Sequence, residues 1–345
     1  MPENAHRHPL LFLATEELLQ QNPYVAEFFI SLGLGLPPAE MSPAEYFASL
    51  DRELLEDLGL ERGSLAERFS AFTELLENMK TGASGALIES ITITGGHDKD
   101  GRPEEFTLTV KPGEVICIVG PTGSGKSRFL ADIEWLAQGD TPTGRTVLIN
   151  GAPPEPGRRF AIDRKLVAQL SQNMNFVMDL TVEEFVTMHA ESRMVADVAG
   201  VTRTIIDLAN DLAGEKFTRE TPVTSLSGGQ SRALMIADTS CLSTSPIVLI
   251  DEIENAGIDR KRAVRTLVDK RKIVLMATHD PILALIGERR LVFRNGGISA
   301  IITTSELERA NLAVFEEMDA RLSAVRNALR NGEVIGRMPA NLLSC

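Results

Sequence analysis

The sequence predicts an α/β fold in which a mixed β-sheet core carries a phosphate-binding loop, preceded by a small all-α domain. Three observations lead there. The apolar run of residues 115–119 ends in Gly120-Pro121-Thr122-Gly123-Ser124-Gly125-Lys126-Ser127, and a helical pattern follows over residues 127–138. Strand, glycine-rich loop and helix in that order are the setting of a P-loop nucleotide site. Two further apolar runs, residues 247–250 and 273–276, each lead into polar residues, as buried parallel strands do at a ligand-binding edge. Residues 1–83, in contrast, read as a run of short helices.

In chain order, Asn22 before Pro23 predicts a helix start, and Ser42–Glu45 and Ser64–Glu67 both have the spacing of capping boxes. Leu65, Phe69, Phe72, Leu76 and Met79 recur at helical spacing, as do Tyr24, Phe28, Phe29 and Leu32. These faces suit either a self-packed module or a docking surface. A linker of small residues at 81–85 closes this segment. Strands are expected at 91–94 and 106–110 around a turn-rich 95–103, and again at 146–149. Residues 181–212 turn helical. A last helix over 305–331 opens on Ser305–Glu308 and carries Val314, Met318, Leu322, Val325 and Leu329 on one stripe, with Gly332 able to end it. The stripe reads as a packing face or a homodimer seam. The expected division is a helical module at 1–83, a nucleotide-binding domain at 86–304, and a C-terminal helix and tail at 305–345.

Composition narrows the class. The chain has 345 residues, 43% of them hydrophobic and 24% charged, as globular proteins have. No apolar run approaches the roughly 20 residues of a membrane span, and no secretory leader pattern opens the chain. These features lead to an expectation of a cytoplasmic protein, peripheral at a membrane only through a partner. The net charge of −13 argues against nucleic acid as the partner. The basic clusters at 158–159, 260–265 and 270–272 read as solvated surface, and Cys117 and Cys241 as buried thiols.

The chemistry concentrates in a few motifs. Glycines at 120, 123 and 125 let backbone N–H groups close around phosphates, Lys126 reaches the β- and γ-phosphates, and the Ser127 hydroxyl suits Mg²⁺. Asp251 and Glu252 follow directly on the apolar run 247–250, one suited to Mg²⁺ and the other to orienting or deprotonating a water. Leu226-Ser227-Gly228-Gly229-Gln230 adds two adjacent glycines that permit close backbone approach, with a hydroxyl beside them.

With the P-loop, this LSGGQ sequence resembles the ATP-binding cassette (ABC) ATPase family over residues 86–304, with a helical subdomain at about 173–225. The resemblance implies a P-loop NTPase of ABC type that hydrolyses MgATP. Its two ATP sites are shared across a homodimer or heterodimer, where Ser227, Gly228, Gly229 and Gln230 act on the ATP of the opposite subunit. Gln172 matches the glutamine loop, contacting Mg²⁺ or the attacking water, and residues 180–184 match the threonine-valine signal after it. His279 matches the switch histidine at the γ-phosphate, and Asp259 the aspartate of the dimer-contacting loop. Two features depart from the family pattern. Residues 91–100 hold no aromatic to stack on adenine, leaving His97 as a stacking or a turn residue. The segment Ile253–Asp259 lies closer to soluble cassettes such as the iron–sulfur assembly ATPase. The resemblance therefore implies the ATP-binding subunit of a transporter, paired with a membrane permease. The alternative is a soluble ATPase that remodels or activates a protein partner. A DNA-repair cassette is disfavoured by the acidic charge and the lack of C-x-x-C pairs.

Overall fold

The computed structural model describes residues 8–80, 88–155, 159, 165–171, 176–256 and 258–335. The chain divides into two compact units, Met1–Ala86 with Ala190–Asp197, and Leu87–His189 with Val198–Cys345.

The first unit is helical: α1 (Thr15–Gln21), α2 (Ala26–Ser31), α3 (Pro43–Ser49), α4 (Arg52–Asp57) and α5 (Arg62–Lys80). Phe28, Phe29, Phe47 and Phe69 form its centre, with Phe28 and Phe69 edge-to-face at 5.2 Å. Ser42 and Glu45 cap α3 reciprocally, as their spacing predicts. Ser64 does not cap. The helix begins earlier, at Arg62, so the Ser64 hydroxyl donates back to the Glu61 carbonyl (2.9 Å). Pro23 opens a 3₁₀ turn, Pro23–Val25, that the Asn22 side chain does not cap. Met194, from within the expected helical subdomain, packs on this aromatic core.

The second unit holds nine strands among the described residues: β1 (Ile91–Gly95), β2 (Thr107–Val110), β3 (Val115–Val119), β4 (Arg145–Ile149), β5 (Val167–Leu170), β6 (Ile247–Asp251), β7 (Ile273–Ala277), β8 (Arg289–Arg294) and β9 (Gly297–Thr303). Three make an antiparallel sheet in the order β2-β1-β4. Six make a sheet in the order β5-β6-β7-β3-β8-β9, parallel except for the β8–β9 hairpin. The mixed core predicted from sequence is thus present, and β5, β8 and β9 add to it.

Alternation along the central strands splits the core in two. Ile116, Ile118, Leu249 and Leu275 face a cluster shared with the small sheet and with helix α6 (Lys126–Glu134). Cys117, Val248, Ile250, Val274 and Met276 face the opposite cluster. There they meet helices α9 (Gly228–Cys241), α10 (Arg260–Asp269) and α11 (Pro281–Ile286), while α7 (Val182–Ser192) and α8 (Val198–Leu212) precede α9 in the chain. Because a parallel sheet covered on both faces leaves only its strand ends open, the C-terminal ends of β3, β6 and β7 become the ligand edge.

The C-terminal segment forms α12 (Glu306–Ala310) and α13 (Leu312–Arg330), parted at Asn311, where one helix was expected. Gly332, at φ +78°, ends α13 with Gly332 and Glu333 N–H groups on the Leu329 and Ala328 carbonyls. Lys272 corrects the reading of the basic clusters as solvated surface. It is buried, donates to the Ser243 and Ser245 carbonyls, and burial pulls its ammonium down to about 8. Cys241 is half-buried, whereas Cys117 is fully buried and donates to the Leu283 carbonyl (3.1 Å). Burial pushes the Cys117 thiol up to about 12, so no appreciable thiolate exists at pH 8. A variant retaining only Cys117 is expected to resist an aromatic disulfide reagent at pH 8 until denaturant is added. Rapid labelling of the native protein would contradict this.

Candidate active site

β3 delivers the chain into the phosphate loop at Gly120, where φ is +153°. A Cβ there would lie 2.5 Å from the Phe293 carbonyl and 2.8 Å from Ser124 Oγ, so only glycine fits. At Gly125, φ +108°, a Cβ would meet Gly296 Cα at 2.8 Å. The β8–β9 turn therefore backs the loop directly, and its Gly296 N–H donates to the Ser124 carbonyl (2.8 Å). Helix α6 starts at Lys126 with no side-chain cap, which leaves its first N–H groups for an anion. Ser124 Oγ is buried without a hydrogen-bond partner, a donor facing the loop that a phosphate oxygen would satisfy.

Five of the expected residues converge here. Lys126 is buried, and its ammonium rests on the Gly120 and Pro121 carbonyls (2.8 and 3.1 Å) within the loop itself. Its Nζ is also 3.3 Å from His279 Nε2, which in turn lies 3.5 Å from Glu252 Oε1. Ser127 Oγ donates to Asp251 Oδ2 at 3.3 Å. A hydroxyl and a carboxylate side by side are hard oxygen donors of the kind Mg²⁺ takes alongside phosphates and water, so the pair fits that ion.

Glu252 stands at φ +50°, a left-handed conformation that costs a bulky side chain on the order of 1 kcal/mol. Two bonds hold it there. Its N–H donates to the Ala277 carbonyl (3.0 Å), and its carbonyl accepts from Arg232 Nη1 (2.7 Å). The turn directs the carboxylate toward His279 rather than along the strand.

The other expected residues that the structure describes are engaged in local bonds of their own. Ser227 is the N-cap of α9, with its hydroxyl accepting from Gln230 N–H (3.3 Å) and its own N–H donating to Gln230 Oε1 (2.8 Å). Gly228 and Gly229 are the first turn of that helix, and Gln230 Nε2 reaches the Glu215 carbonyl. Asp259 caps α10 through Arg262 N–H (3.1 Å). Thr181 and Glu184 cap α7 reciprocally. Gln172 lies outside the described residues. His97 is a turn residue: it bridges to Pro103, and its ring nitrogen bonds the Asp98 carbonyl.

Sequence reasoning passed over several supports. Lys99, from the β1–β2 loop, donates to the Gly123 carbonyl at 2.7 Å. Arg145 is wholly buried between Glu104 (2.6 Å) and Asp132 (2.9 Å), and holds the Gly296 carbonyl behind the phosphate loop. Its guanidinium stacks on Phe129 and Phe293. The only sequence signal was an arginine directly before the apolar strand expected at 146–149. Arg232 and Glu254, beside the LSGGQ and Asp-Glu motifs, had none beyond proximity.

A phosphate cradle, a metal-ready oxygen pair and a carboxylate–histidine pair at one sheet edge define a P-loop enzyme that hydrolyses a nucleotide. A family model described as ABC transporter matches residues 104–255. An uncharacterized ABC transporter ATP-binding protein of Methanocaldococcus jannaschii is 51% identical over 247 residues, which are 71% of this chain and 94% of that protein. The lipoprotein-releasing system ATP-binding protein LolD of Psychrobacter arcticus is 31% identical over 55% of this chain and 85% of its own length. Among solved structures, cbiO1 of Clostridium perfringens shares the fold at a TM-score of 0.50 and 20% identity, over 70% of this chain and 98% of that one. The chain belongs to the ABC transporter ATP-binding family, and its activity is ATP hydrolysis.

Proposed function

We propose that this chain is the ATP-binding subunit of an ABC transporter, working with Mg²⁺ at a site shared between two cassettes. The convergence of Lys126, Ser127, Asp251, Glu252 and His279 carries this reading. Lys126 and the loop N–H groups of Gly123–Ser127 neutralise the β- and γ-phosphates. Ser127 and Asp251 would hold Mg²⁺, with Gln172 as a further ligand, and the ion would supply charge neutralisation on the transferring phosphoryl group. Glu252 orients and deprotonates the attacking water, and His279 contacts the γ-phosphate. Ser227, Gly228, Gly229 and Gln230 complete the site of the opposite cassette, and Asp259 lies at the contact between the two. Residues 86–304 form the cassette in this reading, about 173–225 its helical subdomain, and 305–345 an appended helix and tail.

Docking to a permease is supported by apolar surface after the glutamine loop: Val177 is 92% exposed, and Met178 is exposed beside it. A second reading, a soluble ATPase acting on a protein partner, is favoured by the helical unit with its own aromatic core, which takes in Ala190–Asp197. Cross-linking from a Val177→Cys variant in intact cells separates them. A multi-span membrane protein in the cross-linked product is the expected result, and a soluble enzyme there would overturn the transporter reading.

A further inference from the structure

The chain that carries His279 leaves the sheet where β7 ends at Ala277: Thr278 N–H makes the last bond to β3, and the N–H groups of His279 and Asp280 have no ladder partner. Each has an acceptor. Thr278 N–H donates to the Ile118 carbonyl (3.1 Å), and Asp280 N–H to Thr278 Oγ1 (3.0 Å). His279 N–H donates to Glu254 Oε1 at 2.5 Å, and the other carboxylate oxygen accepts from Thr278 Oγ1 at 3.0 Å. One side chain thus grips two residues of the turn, Thr278 and His279.

Glu254 is well placed to do so. It sits in a 3₁₀ turn, Ile253–Ala256, anchored by fully buried Ile253 two residues after β6 ends. Arg232, on the helix that LSGGQ opens, faces this group of acids and bonds the Glu252 carbonyl. Burial lowers the Arg232 guanidinium from its usual range, against the opposing pull of Glu254, Asp251 and Glu252. A carboxylate accepting two hydrogen bonds with a cation near it is a strong, directional clamp. On the far side, Arg260 pairs with Asp280, so the histidine's turn is held at both ends by the segment that follows the Asp251–Glu252 pair.

We infer that Glu254 is a positioning residue for ATP hydrolysis: it fixes the turn that sets His279 Nε2 between Lys126 and Glu252. The inference rests on the role given to His279 above. Glu254 itself touches neither phosphate nor water in this scheme. A displacement of about 1 Å in a catalytic group costs on the order of 10²-fold in rate, so loosening this turn is costly even with every reacting group intact.

The test is steady-state and single-turnover ATP hydrolysis by the full chain carrying Glu254→Ala, Glu254→Gln, His279→Ala, and each Glu254 change combined with His279→Ala. Glu254→Ala is expected to lower kcat by about 10- to 100-fold with KM for ATP within about twofold. Glu254→Gln is expected to recover much of that loss, because the amide oxygen still accepts from His279 N–H and its NH₂ can donate to Thr278 Oγ1. In the His279→Ala background either change is expected to cost less than about twofold, since the turn no longer carries the group it positions. Wild-type kcat in Glu254→Ala overturns the inference, and so does an equal loss in both backgrounds, which would mark a purely structural brace. If Glu254→Ala does not fold, Glu254→Leu in the same two backgrounds, which keeps the bulk and removes both acceptors, decides the same question. Normal turnover in His279→Ala would instead sink the reading of the site itself, whereas loss there with none in Glu254→Ala sinks only the clamp.

Discussion

Exchange of Glu252 for glutamine is expected to cut kcat for ATP hydrolysis by about 10²- to 10⁴-fold, the range a positioned general base contributes. The amide keeps the size and much of the hydrogen bonding of the carboxylate, and the backbone bonds to Ala277 and Arg232 do not involve the side chain. The left-handed turn should survive, and so should the phosphate cradle on α6. ATP is then bound but not consumed, and the variant should accumulate as an ATP-dependent dimer. Chromatography with and without MgATP, coupled to light scattering, reads the dimer, and phosphate release reads the turnover. Near-normal turnover would remove Glu252 from the role of base. Loss of turnover without a dimer would count against the shared site.

Replacement of Lys126 by alanine is expected to act on the other half of the cycle. Among the described residues, the buried ammonium bonds the loop's own carbonyls and the His279 ring. A nucleotide phosphate would exchange these neutral acceptors for a charged one. Hydrogen bonds to charged groups contribute about 1.5–3 kcal/mol each. One such bond lost corresponds to roughly 10- to 150-fold weaker ATP binding. Equilibrium titration with a fluorescent ATP analogue measures it. The apo fold should persist, because backbone glycines and the Gly296 contact shape the loop. Unchanged affinity would contradict the cradle assignment, and the two variants differ diagnostically, one losing turnover with binding kept and the other losing binding first.

Much of the site was legible because its parts are local. A P-loop is a backbone shape, and Gly120 and Gly125 record it in the sequence through conformations that other residues resist. The central strands were equally legible, because residues 115–118 and 247–250 are buried on both faces and so are apolar throughout. β8 escaped detection because Arg289, Arg290 and Arg294 break its apolar run, although Leu291 and Phe293 are buried. β5 is only four residues long, and β9 buries little of its surface. The expected Ser64 cap failed because the two residues before it, Arg62 and Gly63, were already free to enter the helix, a competition that no short motif records.

The sequence by itself determined the class of chemistry: phosphate binding, a metal-ready hydroxyl and carboxylate, and a second set of glycines at the head of a helix. It could do so because each motif is contiguous and answers to its own backbone geometry. Only the tertiary structure decided which distant side chains meet. Ser127 reaches Asp251 because α6 starts beside the end of β6, and Lys126 reaches His279 because β3 and β7 are neighbours in the sheet. Strand order and register set those meetings, and many distributed core contacts set strand order. The same holds for Glu254, the third acid after the apolar run 247–250, whose place at the His279 turn exists only once β6 and β7 lie side by side.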